Sequence, residues 1–180
     1  MAIATTAAPV QERPGAVTFK GNLVTLVGPE IKVGAKAPDF SVLAQDSSTL
    51  TLASFKGKPL FISATPSLDT SVCDLQARRL NEEAAQLPNV QILTITMDLP
   101  FAQRRWCGAS GVDRIKTASD HREASFGTAY GTLIKELRLL TRSIFIIDAG
   151  GTVRYVEYVP EATSHPNYDA ALAAVRQLAK

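Results

Sequence analysis

Leu60-Phe61-Ile62-Ser63-Ala64-Thr65-Pro66-Ser67-Leu68-Asp69-Thr70-Ser71-Val72-Cys73 contains a complete change of backbone geometry. Leu60 to Ala64 is a short, largely apolar run, the pattern of a strand buried on both faces. Thr65, Pro66, Ser67 and Asp69 are turn-forming residues. A helical pattern then begins near Thr70 or Ser71 and runs through Val72, Leu75, Leu80, Ala84 and Leu87 to a stop at Pro88. Cys73 falls in the first helical turn, where backbone N–H groups lack intrahelical partners and the macrodipole is positive. A thiol in that position is biased toward its reactive thiolate form.

Outward from this unit, strands and helices alternate. Val17 to Phe19 and Leu23 to Val27 read as an N-terminal β-hairpin turning at Gly21 and Asn22. Ser41–Ala44 and Thr49–Leu52 are short strand candidates divided by Asp46-Ser47-Ser48. Val90 to Met97 is rich in β-branched residues. Asp98 then offers an N-cap and Pro100 suits a first helical turn, with a stop expected near Cys107-Gly108. Ile115–Ala118 is a further strand, and a helix over Glu123–Phe126 is expected to be interrupted by Gly127. Ser143–Ile147 and Thr152–Val159 flank the hairpin signal Asp148-Ala149-Gly150-Gly151, and Asn167 to Lys180 closes the chain as a helix. The expected fold class is α/β, with a mixed central sheet, helices on both faces and an N-terminal hairpin. Residues 1–16 read as a flexible leader and residues 17–180 as one domain.

With 180 residues, 46% of them apolar, the chain can bury a core. Its formal charge of +2 and its scattered basic doublets, Arg78-Arg79 and Arg104-Arg105, point away from a nucleic-acid or membrane surface. No apolar run approaches the roughly 20 residues of a membrane span. Met1 to Val17 shows neither the basic nor the apolar region of a secretory signal, so a cytoplasmic address is expected. There, two lone cysteines suit redox or catalytic work better than structural bridging.

Acidity alone does little for a thiol. Lowering a pKa from 8.5 to about 6 raises the thiolate fraction at pH 7 roughly thirtyfold. Nucleophilicity falls as pKa falls, and a slope of about 0.4–0.5 returns ten- to twentyfold of that gain. A fast reaction at Cys73 therefore needs groups that stabilise a transition state. Thr70, three residues earlier, shares a helix face with Cys73 and carries a hydroxyl that can donate to sulfur. The competing reading makes Thr70 or Asp69 a plain N-cap. Pro66 would stop the strand and close the pocket over the sulfur.

Pro66, Thr70 and Cys73 match the Pro-x-x-x-Thr-x-x-Cys pattern of peroxiredoxins, and the surrounding text resembles the thiol peroxidase subfamily, the atypical two-cysteine peroxiredoxins. Similar segments run from Val17 to Lys180: Gly34 with Ala37-Pro38-Asp39-Phe40, Arg105-Trp106-Cys107-Gly108, Ser119-Asp120, Phe126-Gly127, Tyr130-Gly131, Leu139-Leu140 with Arg142, and Pro166-x-Tyr168. Ser71 inside the pattern and Trp106 before Cys107 depart from it without removing a reactive group.

The resemblance implies a thioredoxin-like fold, a homodimer, no cofactor and no metal, and an antioxidant peroxidase reducing hydrogen peroxide and organic hydroperoxides. It casts Cys73 as the peroxidatic cysteine and Cys107 as the resolving one, joined in an intramolecular disulfide that thioredoxin reduces. Thr70 and Arg142 become polar groups around the sulfur and the peroxide. From the residues alone, Arg142 reads as a solvated charge at a strand edge; only its place in the family pattern makes it a site residue. Arg78 and Arg79 are secondary candidates, and His121 and His165 read as surface or turn residues. Two other classes compete with the enzyme: a binding protein with a permanent Cys73–Cys107 bridge, and a metal carrier, for which no cysteine or histidine pair has a ligand spacing.

Overall fold

The structure is a computed structural model that describes residues 10–179. Seven strands form the main sheet in the order β11-β10-β5-β6-β7-β3-β4, and four form a smaller sheet in the order β1-β2-β8-β9. In chain order these are β1 (Glu12–Phe19), β2 (Asn22–Val27), β3 (Ser41–Ala44), β4 (Thr49–Thr51), β5 (Leu60–Ala64), β6 (Gln91–Thr96), β7 (Lys116–Ser119), β8 (Leu133–Ile134), β9 (Leu139–Leu140), β10 (Ser143–Ile147) and β11 (Val153–Tyr158). Helices α1 (Ser71–Ala84), α2 (Pro100–Ser110), α3 (Ser125–Ala129) and α4 (Tyr168–Leu178) complete the chain. Pairs β5–β6 and β6–β7 are parallel while β10 joins β5 antiparallel, so the central sheet is mixed, as the sequence pattern predicts.

Side-chain alternation divides the core. Phe61, Ile92, Ile144 and Ile146 face a layer that includes Leu80 and Ala77 of α1, Cys107 of α2 and Leu172 and Val175 of α4. Ile62, Leu93, Ile95 and Phe145 face the opposite layer, where Phe126 of α3 stacks on Tyr130 at 4.5 Å between centroids. Both faces of the central strands are therefore covered, which explains why every residue of β5 and β10 is buried. Asp120 sits under α3 and accepts the Phe126 and Gly127 N–H groups at 3.0 and 2.7 Å; burial pushes its carboxyl up to about 6.

Several boundaries differ from expectation. Strand β1 begins at Glu12, not Val17, so Glu12–Ala16 pair or bulge in a sheet instead of forming a leader; residues 1–9 of that expected leader lie outside the described residues. The hairpin turn is Lys20-Gly21, both with positive φ, one residue before the expected pair. Helix α2 runs on to Ser110, with Gly111 at φ 65° supplying the left-handed cap that Gly108 was expected to give. Its N-cap position is Leu99, because the Asp98 carboxylate turns back to another loop. Gly127 lies inside α3: a Cβ there would meet Leu140 Cδ2 at 2.8 Å.

Candidate active site

Strand β5 delivers the chain to the turn Thr65–Asp69, and Asp98 at the end of β6 fixes that turn. Its carboxylate accepts Ser67 Oγ at 2.7 Å and Leu68 N–H at 2.8 Å, with Thr96 Oγ1 also donating at 2.8 Å. The first helical hydrogen bond of α1 runs from Asp74 N–H to Thr70 C=O at 2.9 Å. Ser71, Val72 and Cys73 thus occupy the first turn, where amide N–H groups and the positive end of the dipole face outward. Asp98 is a site-supporting residue that sequence reading assigned only to helix capping.

Thr70 occupies the N-cap position with extended backbone, but its side chain makes no capping bond. Its hydroxyl lies 2.7 Å from Cys73 Sγ and 3.1 Å from Ser67 C=O. One hydroxyl proton serves two acceptors, and the nearer is the sulfur. The plain N-cap reading of Thr70 fails on this geometry.

Arg142 lies between β9 and β10 and is 1% exposed, so the expectation of a solvated charge is corrected. Its Nε donates to Ala162 C=O at 3.1 Å, one terminal nitrogen donates to Gln76 Oε1, and the other reaches Cys73 Sγ at 3.2 Å. None of these three partners except Cys73 can ionise, and among the described residues no carboxylate pairs with Arg142. A buried cation without a counter-charge is strongly unfavourable. The sulfur of Cys73 is the group able to supply that charge.

Gln76, fully buried one helical turn beyond Cys73, was not singled out in the sequence. Its amide nitrogen donates to Ser63 Oγ on β5 at 2.6 Å while its oxygen receives Arg142, so it transmits the position of the strand to the guanidinium. The i, i+3, i+6 stripe Thr70, Cys73, Gln76 was a readable signal, since a polar residue on a buried face needs a partner. Pro66, Val72, Ala162 and Phe19 wall a cavity of about 330 Å³ that opens onto Thr70 and Arg142.

Cys107 is placed differently. It lies in the last turn of α2, 6% exposed; Gln45 Nε2 donates to its sulfur at 3.2 Å, and Thr117 Oγ1 lies 3.7 Å from the sulfur. Burial pushes its thiol up, and the Thr117 and Gln45 hydrogen bonds oppose that rise. Both cysteines are free, and their sulfurs share no partner.

The two cysteine-bearing helices are nevertheless tied together. Trp106 Nε1 donates to Asp74 Oδ1 at 3.1 Å, Arg78 bonds Asp74 at 2.9 Å, and the same guanidinium reaches Ser110 C=O and Oγ at 3.1 Å each. Arg78 is thereby a bridge between α1 and α2. Arg79 turns away to Asp169 and the Tyr168 ring, 4.3 Å from its centroid. His121 bonds Ser119 and His165 bonds Tyr168, each at 2.8 Å. Among the described residues no three His, Cys, Asp or Glu side chains gather around a common point.

A family model described as Redoxin matches residues 32–172. A thiol peroxidase of Bacillus subtilis (strain 168) is 58% identical over 164 residues, covering 91% of this chain and 98% of that protein. A thiol peroxidase of Listeria monocytogenes serotype 4b is 55% identical, covering 89% and 98%. The crystal structure of a peroxiredoxin-like protein from Aquifex aeolicus superposes with a TM-score of 0.86 at 41% identity, over 91% of this chain and 97% of that one. By these likenesses and by its mixed sheet with flanking helices, the chain belongs to the redoxin family and, within it, to the thiol peroxidases, enzymes of thioredoxin-like fold.

Proposed function

We propose that Cys73 is the peroxidatic cysteine and Cys107 the resolving cysteine of a thioredoxin-recycled peroxidase. The observation that carries this reading is buried Arg142, whose one ionisable partner is Cys73 Sγ. The Cys73 thiolate attacks the terminal oxygen of a hydroperoxide. The new S–O bond takes the electron pair of the sulfur, the O–O bond breaks, and the leaving alkoxide or hydroxide takes a proton as alcohol or water. Cys73 is left as a sulfenic acid.

Arg142 and Thr70 orient the peroxide and stabilise charge moving across the O–O bond. Pro66 walls the pocket. The Cys107 thiolate then attacks the sulfenic sulfur, expelling hydroxide, which leaves as water, and forming the intramolecular disulfide. A dithiol protein, thioredoxin in this reading, restores both thiols by exchange.

A disulfide requires Cα atoms about 5.5–6 Å apart and sulfurs facing one another. In the reduced molecule each sulfur faces other partners, so the ends of α1 and α2 must loosen, releasing Trp106 from Asp74 and Arg78 from Ser110. Residues 17–180 act as one domain, joined by Glu12–Ala16 of β1. The reading includes a homodimer working in the cytoplasm in redox defence. No helix of the described residues is long and apolar enough to cross a membrane.

The test is a titration. One equivalent of hydroperoxide added to reduced protein changes the fluorescence of Trp106, beside Cys107, as the disulfide forms. Cys107→Ser yields a sulfenic acid on Cys73 that a dimedone-type reagent traps, and Cys73→Ser consumes no peroxide beyond the rate of free cysteine. Superimposable α1 and α2 ends in reduced and oxidised forms would contradict the loosening.

A further inference from the structure

We propose that Gln103, on the helix that carries Cys107, is a positioning residue for the peroxide step at Cys73 and acts through Thr96, Asp98 and Ser67 on the Thr70 hydroxyl. This inference rests on the peroxidase reading of Cys73. Gln103 lies one helical turn before Cys107, so the two share the buried face of α2. It is fully buried, and its amide nitrogen donates to Ala118 C=O on β7 at 2.8 Å and to Thr96 Oγ1 on β6 at 3.0 Å.

Proton counting gives the chain a direction. Thr96 Oγ1 accepts from Gln103 Nε2 and from Asp98 N–H, each at 3.0 Å, which fills both of its lone pairs. Its one proton therefore goes to Asp98 Oδ2 at 2.8 Å. The same carboxylate takes Ser67 Oγ and Leu68 N–H, at 2.7 and 2.8 Å, and so holds the turn before α1. Ser67 C=O in turn receives Thr70 N–H at 3.2 Å and lies 3.1 Å from the Thr70 hydroxyl, which stands 2.7 Å from Cys73 Sγ. A continuous run of hydrogen bonds thus joins α2 to the reactive sulfur.

Packing alone does not ask for glutamine at position 103. Its Oε1 is buried without a partner among the described residues, a penalty that an apolar side chain of similar length avoids. An amide kept there despite that penalty points to use of its N–H groups. Losing them frees Thr96 to turn its hydroxyl, weakens the hold on Asp98 and lets the turn shift under Thr70. A shift of about 1 Å in a group beside the reacting atoms can lose on the order of 10²-fold in rate. The helix that must loosen for disulfide formation is therefore the helix that aims Thr70, so release of α2 also withdraws the Thr70 hydroxyl from the sulfur.

The experiment follows the first oxidation of Cys73 by tert-butyl hydroperoxide in a Cys107→Ser background, read as rapid-quench loss of the free Cys73 thiol. Gln103→Met, which keeps the length and loses the donors, should lower the second-order rate about three- to tenfold, the size of one neutral hydrogen bond. Thr96→Val should do the same, and Thr96→Ser, which keeps the hydroxyl, should stay within about twofold of the parent. In a Thr70→Val background either Gln103→Met or Thr96→Val should remove less than about twofold more, because its path to the sulfur is already cut. An unchanged rate in both Gln103→Met and Thr96→Val overturns the positioning role. So does an undiminished fall in the Thr70→Val background, the mark of general loosening. If the parent reacts no faster than free cysteine, the peroxidase reading falls and the positioning role with it.

Discussion

The two sulfurs sit on neighbouring helices of one layer, yet their surroundings are opposite in character. Cys73 lies at the start of α1, with a hydroxyl at 2.7 Å and a guanidinium at 3.2 Å. Cys107 lies in the last turn of α2, where the dipole disfavours negative charge, with only a neutral amide and a hydroxyl as partners. Burial is common to both and does not distinguish them. The difference is that a guanidinium lies against one sulfur, while the other is bonded only to neutral groups. The two cysteines also occupy opposite helix ends, Cys73 in the first turn of α1 and Cys107 in the last turn of α2.

Exchanging the roles is the most drastic way to break that contrast. Cys73→Ser should abolish peroxide reduction, whereas Cys107→Ser should keep the first oxidation at the wild-type rate and lose thioredoxin-linked turnover; stopped-flow oxidation and steady-state assays separate the two. Arg142→Met removes the balancing cation and should slow Cys73 oxidation about 10²–10³-fold, the scale of a lost transition-state donor. Thr70→Val should slow the same step about 10- to 100-fold, as expected for a hydrogen bond to a charged group, with Thr70→Ser restoring most of it.

Three smaller effects belong to the other sulfur. Because burial raises the Cys107 thiol, its thiolate fraction at neutral pH is below that of an ordinary cysteine, and disulfide formation should accelerate as pH rises from 7 to 9. Gln45→Leu removes one of the hydrogen bonds opposing that rise, so the profile should move to higher pH and the rate at pH 7.5 should fall several-fold. Trp106→Phe deletes the bond to Asp74 and should speed disulfide formation a few-fold, followed by quenched-flow thiol counting. An unchanged rate would show that the α1–α2 tie does not hold the resolving helix back.

The half of the site built from local sequence was legible and the half built from packing was not. Strand, turn and helix around Pro66, Thr70 and Cys73 follow from residue type and spacing over 14 residues. Arg142 arrives from the far end of the chain, and no local pattern distinguishes a buried arginine from an exposed one. Gln76 is marked locally only by its place on the Thr70–Cys73 face; its partners, Ser63 and Arg142, are distant in sequence. Asp98 stands where either of two segments could use its carboxylate, and the turn before α1 takes it instead of α2. Strands β8 and β9 are two residues each, too short for alternation to register. The start of β1 was hidden by Pro14 and Gly15, which sit in a bulge that pairing with β2 tolerates.

The central claim is that the protein directs oxidation to one of two buried thiols. It is tested most directly by treating reduced wild-type protein with a sub-stoichiometric amount of hydroperoxide in the presence of a sulfenic-acid trap and mapping the adduct by mass spectrometry within milliseconds. The account predicts an adduct on Cys73 alone, with Cys107 appearing only in the disulfide. Adducts on Cys107, or equal labelling of both cysteines, would contradict it.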